Sequence, residues 1–296
     1  MKKNILLLVV FATFSFISCN EDQNNFTQNK FQSAQIEHSY EQINLLSEEV
    51  SEFHNNVINY FLRELYKPTD VMNEEYLLNL RQMILDQAGN YDFKYMNKND
   101  FNDELIEDDE FLLCCFNAMQ YDTLNLSSLS HYNEDCLFDF SLIEKKSNRC
   151  ALELESLFYD SESPEEFESK YNAYIEEALG QVTDKYNYMC IRFYADMYMS
   201  SFITWSNYLF GESNQAKKPN GWLNKTWDKA KAKAKKFWKD VKPIVAADAG
   251  GAVTGAMIGS VGGLPGAGAG AVKVGCATSA GQAVQNLINN KSYNLK

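Results

Sequence analysis

A glycine stands at every fourth position from residue 251 to residue 263: Gly251, Gly255, Gly259 and Gly263. In a helix these four lie along one side and leave a flat groove where another backbone can approach closely. Glycine costs about 1 kcal/mol against alanine in a solvated helix, so close packing or apolar surroundings must offset this run. Gly263-Leu264-Pro265-Gly266 reads as a turn. Beyond it, Ala267, Ala271, Gly275, Ser279 and Ala283 continue a small residue at every fourth place. The spacing predicts a hairpin of two small-faced helices, about 244–262 and 267–289, within a segment 244–290. Eleven of the fifteen glycines fall between residues 250 and 281, so the device is local to this tail.

The preceding segment, 215–243, reads as a basic amphipathic helix. Leu223, Trp227, Ala230, Ala234, Phe237 and Val241 recur at steps of four and three, with Trp238 beside them. Lysines, among them Lys229 and Lys236, fill the rest of the circumference. A lysine face opposite a Trp/Phe/Leu face suits a helix lying in a membrane interface. Trp222, Leu223, Trp227, Phe237, Trp238, Val241, Lys229 and Lys236 are the expected membrane-contact residues. Two alternatives stand beside that reading: a short coiled coil, or docking of the helix on the chain's own acidic body. Pro243 is expected to end this helix. Nearly 20 residues of helix span about 30 Å, so each arm of the hairpin is long enough for a bilayer. Asp248 is expected near one end of the hairpin, and Lys273 is expected to snorkel.

This tail resembles glycine-zipper membrane segments, both those of two-helix envelope lipoproteins of Gram-negative bacteria and those of bacteriocin-like pore-forming peptides. The resemblance implies membrane lipid as a partner and self-association through the zipper.

The other end carries an address. Met1-Lys2-Lys3 precedes a 13-residue apolar run, Ile5 to Ile17, too short to span a bilayer comfortably. Phe16-Ile17-Ser18-Cys19 follows, then the polar Asn20-Glu21-Asp22. These residues resemble the lipobox of bacterial lipoproteins, with Phe16 where leucine or valine is usual. The resemblance implies a signal peptide 1–18, lipid attachment (palmitate among the acyl chains) at Cys19, and a site in the cell envelope at the outer membrane, possible surface exposure included. Residues 19–34, rich in Asn and Gln, read as a flexible tether.

Between these ends lies an acidic body, 35–211. Residues 20–216 hold 37 acidic and 12 basic residues, whereas 217–243 hold ten lysines against Asp228 and Asp240. The body should repel nucleic acid, and export disfavours that partner for the basic helix too. Apolar residues recur at helical spacing: Ile43, Val50, Phe53, Val57 and Phe61 first; then a helix capped by Asn73 and ended near Gly89; then Phe111 to Met119; then Leu137 to Phe158, with a break near Ser147. Ser163-Pro164-Glu165-Glu166 is a capping signature for a fifth helix, and a sixth runs roughly over 181–210. The expected fold is all-α: a helical-bundle body, a basic amphipathic helix and a Gly/Ala-rich helical hairpin.

No catalytic constellation, metal site or cofactor motif emerges. Glu48-Glu49, Glu165-Glu166 and Glu176-Glu177 read as solvated surface pairs, Asp108-Asp109-Glu110 lacks the spacing of a calcium loop, and His54 reads as a core or boundary histidine. Cys114, Cys115, Cys136, Cys150, Cys190 and Cys276 read as buried apolar residues, with Cys136–Cys150 one plausible disulfide. The sequence therefore describes a non-enzymatic, lipid-anchored envelope protein whose tail contacts or inserts into membrane. The alternatives are a pore-forming or toxin module carried on a lipoprotein, and an interaction or ligand-binding module with a structural tail. No protein partner is named by the residues.

Overall fold

A computed structural model describes residues 39–65, 72–101, 106–121, 123–126, 138–210, 227, 231–232 and 234–289. The expected signal peptide (1–18), Cys19, the expected tether (19–34), Cys136, Trp222, Leu223 and Lys229 lie outside the described residues, as do residues 290–296. Among the described residues the chain is all-α, with no strand.

Local chemistry starts most of the helices. Helix α1 (Tyr40–Tyr60) opens on a reciprocal capping box: Ser39 Oγ accepts from Gln42 N, and Gln42 Oε1 accepts from Ser39 N. Its end widens into a short π-helical turn, Phe61–Leu65. Helix α2 (Glu74–Ala88) is capped by Asn73 as expected. Helix α3 (Asp108–Gln120) has no side-chain cap but carries three carboxylates in its first turn, where the helix dipole favours them. Helix α4 (Phe140–Asp160) runs unbroken through Ser147, because that small side chain is fully buried on the core face. Helix α5 (Pro164–Leu179) uses Ser163 as expected, although Glu166 reaches back to Glu162 N rather than to the cap itself. Helix α6 (Lys185–Phe210) buries Met189, Tyr194, Met197, Tyr198 and Trp205 completely.

The tail forms helix α7 (Ala234–Gly259), a 3-10 turn (Ser260–Gly262) and helix α8 (Gly263–Asn289). Pro243 does not end a helix; α7 passes straight through it. Trp238 and Val241 before the proline and Ile244 and Val245 after it are all buried, and their packing outweighs one lost backbone hydrogen bond. The basic helix and the first arm of the hairpin are thus continuous.

The hairpin, read from the sequence as a separate module, is the middle of the bundle. Helix α7 packs on α8, α6 and α3, and α8 also packs on α1, α2 and α3. Helices α4 and α5 form an outer layer on α6. Nearly every residue from Ile244 to Val284 is buried, the corner at 261–265 excepted. The amphipathic helices of the body turn their apolar faces onto this hairpin and their charges outward.

Candidate membrane-active hairpin

The seam between α7 and α8 is built by three of the four zipper glycines. A β-carbon at Gly251 would meet Thr278 Oγ1 at 2.4 Å, one at Gly255 would meet Gly270 O at 2.1 Å, and one at Gly259 would meet Gly266 O at 2.2 Å. The helices touch backbone to backbone, as the four-residue spacing predicts. Gly263 plays another part: it sits at the corner with φ of +75°, a conformation that glycine adopts without strain. The seam on α8 is Gly266, Gly270, Val274 and Thr278, one residue before the expected series. Of that series, Gly275 still faces Asp248 and Ala252, while Ser279 turns to α6 and accepts from Trp205 Nε1 at 3.0 Å. Periodicity fixes the repeat but not its phase when neighbouring positions are both small.

Other glycines face outward into the surrounding helices. A β-carbon at Gly268 would meet Met96 Sδ at 2.7 Å, and one at Gly281 would meet Met119 Sδ at 2.9 Å. The hairpin is thinned toward its sheath as well as along its own seam.

The basic approach to the hairpin docks on the body. Trp227 stands 5.0 Å from the Phe158 ring and 5.6 Å from that of Phe167, while Trp238 stands 5.4 Å from Phe202. Trp227, Trp238 and Val241, expected against lipid, are therefore buried among α4, α5 and α6. An aromatic cluster offers their apolar surface the same shelter that lipid would. Lys231 Nζ donates to Ser161 O at 2.6 Å, and Lys242 approaches Glu155 at 3.7 Å. This is the internal docking that stood as an alternative. Lys236 and Phe237 belong to α7, and their side chains lie outside the described residues.

Charge is buried inside the hairpin. Asp248, expected near one end, is fully buried within α7, and Lys273 is 1% exposed rather than snorkelling. Asp248 Oδ2 lies 2.8 Å from Nε2 of His54 on α1, both side chains wholly inaccessible. The two atoms are in close polar contact without the alignment of a hydrogen bond. On the other side of the ring, Nδ1 faces Asn55 Oδ1 at 3.3 Å, and that oxygen accepts from Thr204 Oγ1 at 2.6 Å. Both ring nitrogens thus stand against oxygen atoms. The sequence did mark both partners: Asp248 breaks an apolar run, and His54 follows Val50 and precedes Val57 and Ile58 on the buried face of α1. It did not pair them, because 194 positions separate the two.

Glu49 corrects another expectation. It is buried and accepts from the backbone of Lys94, Tyr95 (2.9 Å) and Met96 (3.0 Å), tying the loop that places Met96 against Gly268. The remaining Glu pairs are exposed or half-exposed, as expected. Cys150 carries a free, buried thiol, and Cys136, its candidate partner, lies outside the described residues. Burial pushes the thiols of Cys114 and Cys150 up to about 12. Among the described residues, no three His, Cys, Asp or Glu side chains are grouped to hold a metal ion.

The chain matches no family model, no curated protein sequence and no solved structure.

Proposed function

We propose that this is a non-enzymatic, lipid-anchored protein of the cell envelope that carries a membrane-insertable hairpin inside a sheath of its own helices. Lipid on Cys19 holds the folded chain at the membrane surface. The Trp/Lys segment, once undocked, contacts the anionic surface, and the glycine-zipper hairpin enters the bilayer. One observation carries this reading: the stretch Trp238–Asn286 has the length and composition to cross a membrane, yet it is enclosed by helices whose outer faces are polar. The apolar surface of such a stretch can exchange one apolar environment for another at modest cost, because lipid and protein interior solvate it alike, while Asp248 and Lys273 add the cost of their own transfer.

The same enclosure favours a second reading, in which the hairpin is the permanent core of a tethered interaction module. Flotation with vesicles separates the two. The mature chain, made as Cys19→Ala so that no acyl chain contributes, is mixed with vesicles of zwitterionic or anionic lipid. Insertion predicts co-flotation with anionic vesicles that survives high salt, because buried apolar area is not screened. A chain that stays at the bottom of the gradient under both conditions supports the permanent core. Release of trapped dye on binding marks pore formation, and binding without release marks an anchor. In cells, wild type should fractionate with the outer membrane, and Cys19→Ala should lose that placement while its hairpin stays docked.

A further inference from the structure

We propose that the His54–Asp248 pair is the latch that holds the hairpin in its sheath, and that loss of either partner frees the hairpin. This rests on the reading of the hairpin as insertable.

Three features of the pair support it. It joins the two parts that must separate: His54 belongs to sheath helix α1 and Asp248 to hairpin helix α7. It also lies at the junction of both hairpin arms, since Asp248 Oδ1 is 3.3 Å from where a β-carbon of Gly275 on α8 would stand. Finally, both side chains have 0% exposure, so neither polar group is open to bulk solvent.

The energetics of such a pair have the asymmetry that a latch needs. An intact buried pair is close to neutral against an apolar pair of the same shape, because desolvation offsets attraction. A broken one strands a charge in a dry interior and is strongly unfavourable. The surrounding contacts are of a different kind. The hairpin's glycine and alanine surfaces meet aliphatic side chains through apolar contacts that carry no charge. Among the other polar links to the sheath, Trp205 Nε1 to Ser279 Oγ is a neutral hydrogen bond whose net contribution is small, and the Lys242–Glu155 pair is partly exposed to solvent and worth little. The fully buried His54–Asp248 contact therefore holds the register and decides whether the closed state persists.

Hydrogen exchange of the full mature chain tests this, with flotation on anionic vesicles measured in parallel. Asp248→Asn and His54→Leu should each speed exchange over 244–289 by about 100-fold or more, leave α4 unchanged, and raise vesicle binding. Leu154→Ala, a cavity in α4 far from the pair in sequence, is the comparison. The double variant His54→Leu with Asp248→Leu, where leucine is the apolar isostere of aspartate, should return exchange to the wild-type rate. The latch is overturned if the single variants loosen the whole bundle as Leu154→Ala does, or if the double variant exchanges as fast as the singles. If the singles do not fold, a double variant that folds supports the latch and one that fails overturns it. Selective loosening of 244–289 without added vesicle binding supports the latch and overturns the membrane reading.

Discussion

Gly255 and Gly270 meet backbone to backbone across the hairpin: a β-carbon on either would stand 2.1 Å from the other's carbonyl oxygen. No side-chain rotation relieves that clash, because the obstacle is main chain. Gly255→Ala or Gly270→Ala should therefore force the arms apart and cost more than the roughly 1–3 kcal/mol typical of overpacking. Gly250→Ala is the contrast. It lies five residues away on the same helix, with its nearest neighbour at 3.7 Å, and should stabilise by about 0.5–1 kcal/mol through helix propensity. Denaturant midpoints followed by circular dichroism should move in opposite directions.

A chain truncated after Gly211 removes α7 and α8, and with them the surface on which α1, α2, α3 and α6 pack. The acidic segment 35–211 should then lose cooperative thermal unfolding and bind dyes that report exposed apolar surface. A sharp transition in the truncated chain would mean that the body has a core of its own.

Glu49→Ala should leave three backbone N–H groups of the 94–96 loop without their acceptor and cost about 2–4 kcal/mol. Met96 sits against Gly268, so exchange protection should fall in α8 as well as in the loop. Unchanged protection at 266–270 would show that the loop and the hairpin are not coupled.

With their thiols raised to about 12, Cys114 and Cys150 are only about one part in 10⁴ thiolate at pH 8. Both are also inaccessible. Neither should react with a disulfide reagent until the bundle unfolds, so mass spectrometry of the labelled native chain should find both unmodified.

Burial raises the Asp196 carboxyl above its ordinary 3.8, against the lowering effect of Arg192 and of the Ser47 hydroxyl. A raised carboxyl means that the folded state binds the proton more tightly than the unfolded state. Stability from this group is therefore present at low pH and lost as pH rises through the raised value. Asp196→Asn removes that loss. The melting temperature of the variant relative to wild type should climb between about pH 3 and pH 7, and a flat difference would contradict the sign.

Much of the fold was legible where chemistry is local. Asn73 and Ser163 cap where their spacing says they should, and the apolar period of α1 marks its buried face. The hairpin was legible for the same reason: glycine at every fourth place allows a single close contact. What escaped was the choice of partner. The stripe of Trp227, Trp238 and Val241 has one apolar face whether it meets lipid or Phe158, Phe167 and Phe202, so periodicity cannot say which. Pro243 misled because a local rule was overridden by packing on both sides of it. The His54–Asp248 contact was invisible because nothing in the sequence links two single residues on distant helices.

The most direct test is protease protection of the mature Cys19→Ala chain bound to anionic vesicles, read by mass spectrometry. If the hairpin passes into lipid, its sheath loses its core. A fragment close to 244–289 should then survive while α1 to α6 are cut away, and only when vesicles are present. Body and hairpin surviving together, or disappearing together, would contradict the transfer and leave the hairpin a fixed core.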